Sequence, residues 1–215
     1  MRALLSALIA LLALPAMGAD VVKRVAEGVT LTYRTTSTPN RIRLLTVDLT
    51  VPGVRLGATT SAQRGRTTSS YAKLVGAAAA TNGCFFSYAT HATTGLAVGG
   101  GVKWPDTKDD GLLAVFAFDN ADRVELRPAA QVTAFDPTWM KGVVSGRPVL
   151  LTAGVKLATN PSYPSCTSRQ PRTAVGLSKF YKPVLAMQMP GLLTDWNKVD
   201  AALKSKGGEF NKGLQ

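Results

Sequence analysis

The sequence predicts an α+β domain, β-rich, in which twisted mixed or antiparallel sheets carry a few packed helices. Three observations lead there. The 215-residue chain is 46% hydrophobic, enough for one domain with a substantial core. Its 20 Gly and 12 Pro imply many turns, and so short strands more than long helices. Most segments between the turns read as short strands, and only two read as helices.

Residues 1–19 read as a signal peptide. Met1-Arg2 is a short basic start, residues 3–14 are apolar and uncharged, and Pro15-Ala16-Met17-Gly18-Ala19 offers small residues for cleavage. The apolar run is shorter than the about 20 residues that a membrane span needs, although an uncleaved anchor is the competing reading. The expectation is a secreted or periplasmic protein with no membrane segment after cleavage, and a single domain over residues 20–215.

Within that domain, residues 29–36, 41–49 and 54–60 read as successive strands, with Pro39-Asn40 and Pro52-Gly53 at the turns. Residues 67–75 form a short helix capped by Thr67 or Thr68, with Tyr71, Leu74 and Val75 as its apolar stripe. Residues 77–81, almost all alanine, are a candidate central strand. Residues 95–98, 112–118 and 123–126 are further strands, the last two joined across Asp119-Asn120-Ala121-Asp122. Residues 149–152 and 155–157 make a hairpin around Ala153-Gly154, and 173–177 and 184–187 are late core strands. A closing helix is capped by Thr194, lined by Leu193, Trp196, Val199 and Leu203, and stopped at Gly207.

Charge and composition exclude several functions. Thirteen acids face twenty-five Lys and Arg, a formal net charge of +12, with the bases scattered. No basic block, zinc finger or RNA-binding aromatic signature is present, so nucleic acid is not the expected partner. The charge fits a basic exported protein, or a field that attracts anions such as phosphate-bearing glycans. One His and two Cys are too few for a structural zinc site, so no metal is expected and no cofactor is assigned. Cys84 and Cys166 allow one pairing, and an exported protein permits it, provided that the Cα atoms come within about 4.4–6.8 Å. The lone His91, without an elbow motif, supports no Ser/His/Asp triad. "VGGGVK" (98–103) lacks the Gly-Lys-Ser/Thr ending of a phosphate loop and reads as a glycine-bearing hairpin turn.

Three stretches carry the chemistry. In "TNGCFF" (81–86), Asn82 either projects its amide into a cleft or holds the turn, and the turn is the simpler account. Phe85 and Phe86 read as core. In "SGRPVLL" (145–151), Arg147 reads as a solvated loop residue. In "PRTAVG" (171–176), strand alternation puts Arg172, Ala174 and Gly176 on one face, with room for a bidentate anion. A structural salt bridge explains Arg172 equally well.

Taken in order, these stretches resemble the phosphodiester glycosidase family. Val47-Asp48-Leu49 and Pro52-Gly53-Val54-Arg55-Leu56 match its "VDL…PGVRL" strand pair. Asn82, Gly83, Phe85 and Phe86 match "N-G/A-x-F-F", and Gly95-Leu96-Ala97-Val98 matches the glycine-led strand that follows. Val144-Ser145-Gly146, Pro148 and Leu150 match "V-S-G-x-P-x-L". Arg169, Pro171, Arg172, Thr173, Ala174 and Gly176 match "R-x-P-R-T-A-x-G". The likeness runs from about residue 29 to 203.

The resemblance implies hydrolysis of a sugar joined through its anomeric carbon to a phosphodiester, in a phosphate-bearing glycan or exopolysaccharide. It raises Asn82 above the turn reading and Arg172 above the salt bridge. Asn82, Arg172 and Thr173 become the catalytic candidates, and Ser145, Gly146 and His91 the substrate-binding ones. Arg172 would neutralise the departing phosphate while Thr173 and Asn82 orient oxygens. The family's Asp-Gly after the next strand is replaced by Gln188-Met189-Pro190-Gly191, and its closing "N-L-D-G-G" segment finds no match. The expectation is a chain with little or no turnover, lacking a final strand and so open to self-association through an unpaired sheet edge. Turnover against that expectation would point to another acid, Asp106, Asp109 or Asp110, in the loop after Trp104. A non-catalytic phosphate- or glycan-binding relative is the alternative.

Overall fold

A computed structural model describes residues 20–36, 41–107, 113–121, 123–128, 135–157 and 171–178, and the backbone of 183–187. The order of elements is β1 (Val21–Ala26), β2 (Val29–Thr35), β3 (Arg41–Val47), a 3-10 turn (Ser61–Gln63), α1 (Thr68–Val75), β4 (Val98–Gly99), β5 (Val102–Lys103), β6 (Ala114–Phe118), β7 (Val124–Arg127), β8 (Gly142–Gly146), β9 (Leu151–Thr152), β10 (Val155–Lys156), β11 (Val175–Leu177) and β12 (Pro183–Met187).

Two five-stranded antiparallel sheets form the body. The first runs β1-β2-β3-β12-β11 and the second β5-β4-β8-β6-β7, with β9 and β10 as a separate hairpin. β2 and β3 pair along their whole length, from Val29 opposite Val47 to Thr35 opposite Arg41. Asp20 and Arg34 fasten the start of the first sheet through two half-buried bonds, Nε to Oδ1 at 2.7 Å and Nη2 to Oδ2 at 2.9 Å. This fork-to-carboxylate geometry is the strong form of an ion pair.

The second sheet is buried on both faces, and β6 shows why. Strand alternation sends Phe116 and Phe118 to one side, where they meet Val29, Val47 and Leu49 of the first sheet's layer. Val115 and Ala117 point the other way, into a cluster with Leu96, Val98, Trp139, Met140 and Val143. Gly142 on β8 is required by this packing, since a Cβ there would lie 2.1 Å from the Phe118 ring. Trp139 also carries Arg123 over its face at 3.7 Å, with Glu125 bonding both Arg123 and Arg127 at its side.

Several sequence expectations are met. Thr67 caps α1 by accepting the Ser70 N–H at 3.2 Å. β6 and β7 form the expected hairpin, with Asp119 accepting the N–H of Ala121 and Arg123. "VGGGVK" is a hairpin turn, Gly100 and Gly101 taking φ of 61° and 80° between β4 and β5. The pair Ala153-Gly154 makes the same kind of turn, with φ of 49° and 75°.

Others are corrected. The class is mainly β rather than α+β with several helices: among the described residues there is one short α-helix. The second expected helix, around 194–207, lies outside the described residues. Residues 54–60 and 77–81 join no ladder, and 77–80 are exposed, because runs of alanine offer little apolar surface to hold a strand in a sheet. The α1 stripe is not buried: Leu74 is 52% and Val75 46% exposed. β1, β5 and β8 were not foreseen. β1 at the sheet edge groups its apolar and charged residues in pairs (Val21-Val22, Lys23-Arg24) instead of alternating them, and β8 begins and ends on glycine, so neither shows a strong period.

Candidate active site

The site gathers on loops at the ends of β8 and β11. Residues 81–86 run past β8. Gly83 lies against Val144, where a Cβ would come within 3.1 Å of its side chain, and Cys84 accepts the Ser145 N–H at 3.3 Å. Asn82 is thereby fixed beside the chain leading into β11. There Thr173 donates its hydroxyl proton to Asn82 Oδ1 at 2.6 Å, across 91 residues of sequence. That bond leaves the Asn82 amide nitrogen, with its two donors, without a protein partner among the described residues.

Arg172 is half-buried, directly ahead of β11, and one guanidinium nitrogen donates to the Pro171 carbonyl at 3.2 Å. The expected strand begins later, at Val175, so Arg172 and Ala174 sit in the loop rather than on a strand face. Arg147 lies over the Phe85 ring, 5.8 Å from its centroid. Arg147 is exposed, as expected of a loop residue, and its guanidinium lies over an aromatic face at the end of β8.

The substrate-binding candidates fall into three different settings. Ser145 is buried, and its hydroxyl donates to the Leu96 carbonyl, so its side chain joins β8 to the segment that leads into β4. Gly146 opens onto space, with nothing within 4 Å of where its Cβ would be. His91 sits at the tip of the 85–94 turn at φ 56°, a left-handed conformation in which His is enriched among non-glycine residues. Its ring stacks on Phe86 and lies over Gly65. Asn82 and Thr173 are the pair that the structure brings into direct contact.

Beneath the site is a small polar knot. Thr107 donates to the Gly95 carbonyl and receives the Ala97 N–H at 3.0 Å, while the buried Thr93 hydroxyl donates to Thr107 at 3.1 Å. Gly95, at φ 80°, has no room for a side chain, since a Cβ would lie 2.7 Å from Leu113 and 2.8 Å from Ser145. Next to Thr107, Asp106 pairs with Arg64, and that hydrogen bond holds its carboxyl below the usual range. The pair with Arg64 therefore keeps Asp106 in its carboxylate form. Asp109 and Asp110 lie outside the described residues.

Two features escaped the sequence reading. Phe85 and Phe86 are 48% and 45% exposed, not core, and Tyr88 beside them is 88% exposed. The Thr81 hydroxyl, next to Asn82, is buried with no hydrogen-bond partner. Nothing in a Thr before Asn-Gly signals that burial. Cys84 is unbridged in this structure, and burial pushes its thiol up against the opposing hydrogen bond from Ser145. Cys166 lies outside the described residues, and the bridge between the two remains a proposal. Among the described residues no cluster of His, Cys, Asp or Glu would hold a metal, and no helix is long and apolar enough to cross a membrane.

No curated protein is similar enough to match. The family model described as phosphodiester glycosidase matches residues 75–188. The match contains the Asn82 loop, β8 and the Arg172-Thr173 loop, and it takes in more than half of the chain: the protein belongs to the phosphodiester glycosidase family.

Proposed function

We propose that this chain hydrolyses the bond between a sugar's anomeric carbon and a phosphodiester oxygen, in a phosphate-bearing glycan or exopolysaccharide outside the cytoplasm. The observation that carries the reading is the Thr173–Asn82 hydrogen bond, which joins two loops from opposite ends of the family match. The leading apolar run at 3–14 supports export.

A phosphodiester leaving group is a weak base, so protonating it matters less than for an ordinary glycoside. Neutralising it and steadying an oxocarbenium-like centre matter more. Arg172 supplies the planar cation for the departing phosphate. Asn82 turns its amide donors to a non-bridging oxygen, held in that orientation by Thr173. Gly146 leaves room for the ligand at the end of β8, and Ser145 positions that end from below. His91 reaches the ligand through the 85–94 turn. Turnover is slow, because Gln188-Met189-Pro190-Gly191 stands where the family motif carries its Asp. The remaining turnover falls to Asp106, kept ionised by Arg64.

The test is release of free sugar from a sugar-1-phosphodiester by the full chain, beside Arg172→Lys, Arg147→Lys and Asp106→Asn. Arg172→Lys should weaken phosphate binding more than Arg147→Lys, since an ammonium replaces a planar fork. Equal losses would remove Arg172 from its role. Binding without any sugar release would identify a binding protein instead, and full activity in Asp106→Asn would exclude that carboxylate. For the bridge proposed between Cys84 and Cys166, two alkylatable thiols in denatured, non-reduced protein would rule it out.

A further inference from the structure

We propose that Phe86, Tyr88 and His91 form an aromatic platform that holds a neutral sugar ring of a glycan chain beside the Asn82–Thr173 site. The proposal rests on the glycosidase reading for its ligand class, but on separate residues for its binding. Phe86 and Tyr88 have ring centroids 5.1 Å apart at 56°, and Phe86 and His91 stack at 5.9 Å with only 17° between their planes. The three rings thus form one cluster: His91, held between Phe86 and Gly65, backs Phe86 and offers its edge, while Phe86 is 45% and Tyr88 88% exposed.

The surface is rigidly presented. Three backbone bonds close the turn beneath it: Ser87 N–H to Ala92 O at 2.9 Å, His91 N–H to Ser87 O at 2.8 Å, and Thr94 N–H to Phe85 O at 2.8 Å. An antiparallel bridge between Phe86 and Thr93 sets the register. The left-handed backbone of His91 places its ring between Phe86 and Gly65, so the stack is built at a backbone cost.

The chemistry of the occupant follows from the rings. The face of a pyranose carries axial C–H groups with slight positive charge, which suit the negative face of an aromatic ring. The sugar's equatorial hydroxyls then point sideways, within reach of Tyr and His polar atoms. An aliphatic partner would be met as well by Leu or Ile, but this patch contains rings with polar edges. The platform begins on the same 81–86 segment that carries Asn82.

Isothermal titration of the full chain with N-acetylglucosamine tetramer, mannotetraose and maltoheptaose tests this directly, since none carries phosphate. At least one should bind with a Kd near about 1 mM. Tyr88→Ala and Phe86→Ala should each weaken it about tenfold, through lost aromatic area. Tyr88→Phe, which keeps the ring, should retain most of the affinity. Inorganic phosphate should bind these variants as it binds the parent, and Arg172→Lys should lose phosphate and keep the oligosaccharide. Failure of all three sugars to bind, or unchanged sugar affinity in both alanine variants, would overturn the platform without touching the Arg172 reading. Alanine variants that melt several degrees lower with sugar affinity intact would show that the rings pack against the chain itself, which also overturns it.

Discussion

The Thr173–Asn82 contact makes a quantitative prediction, because its structural and functional worth should differ. The bond is a neutral O–H···O at 2.6 Å between exposed side chains. Water replaces such a bond readily, so Thr173→Val should cost the fold no more than about 1 kcal/mol. For a domain of this size that lowers the Tm by roughly 2–4 °C. Activity should suffer more. Once released, the Asn82 amide rotates away from the substrate oxygen, and misplacement by about 1 Å costs on the order of a hundredfold. Sugar release from a sugar-1-phosphodiester should therefore fall about 10- to 100-fold in kcat/KM for Thr173→Val, and similarly for Asn82→Ala. The double variant should be scarcely worse than either single one, a coupling of about 1.4–2.7 kcal/mol. Thr173→Ser, which keeps the hydroxyl, should recover most of the rate. Multiplicative losses in the double variant, or a Thr173→Ser as poor as Thr173→Val, would refute the claim that Thr173 acts by holding Asn82.

Three further outcomes follow from the packing. Gly142→Ala should lower the urea midpoint by an amount worth roughly 3 kcal/mol or more, since its methyl meets the Phe118 ring; adding Phe118→Leu should restore part of it, and full additivity would refute the clash. Thr81→Val should raise the Tm by about 2–4 °C, because it removes a buried hydroxyl without a partner, and an unchanged or lower Tm would show that the hydroxyl is satisfied in solution. Burial works against the Glu125 charge, but hydrogen bonds from Arg123 and Arg127 outweigh it and lower its carboxyl. The stability it confers is therefore present above its unfolded value of about 4.3 and lost as pH falls through the lower folded one. Glu125→Gln should melt lower than the parent at pH 7, with the gap closing below about pH 4; a gap independent of pH would refute this.

Local signals in the sequence were read well where chemistry is local. Asp119 ahead of a hairpin, Gly100-Gly101 between two short strands and Thr67 ahead of α1 each act within four residues, and each appears as expected. Burial was read less well, because it depends on what lies opposite. Leu74, Val75, Phe85 and Phe86 look like core by composition, yet all four are exposed. Conversely, Ser145 looks like a polar turn residue and is buried, its hydroxyl committed to Leu96. β8 was missed for the same reason: Gly142 lowers strand propensity, but the facing Phe118 needs that absence of a side chain. The site motifs were legible as separate stretches. Their meeting was not, since no local rule tells Thr173 that Asn82 will stand beside it.

The position of that meeting bears on how the site works. β8 belongs to the second sheet and β11 to the first, and the loops bearing Asn82, Arg147 and Thr173 lie at their ends. Val175 and Leu177 of β11 pack on the cluster that also holds Phe116 and Phe118, so one apolar layer fixes both sheets beneath the site. The Thr173–Asn82 bond therefore spans two sheets whose separation is set by side-chain packing. A change in that packing, such as truncating Phe116, would displace Asn82 and Thr173 relative to each other without touching either. Loss of activity by such a remote change, with both site residues intact, is what a site hung between two sheets requires and what a site carried on one loop would not show.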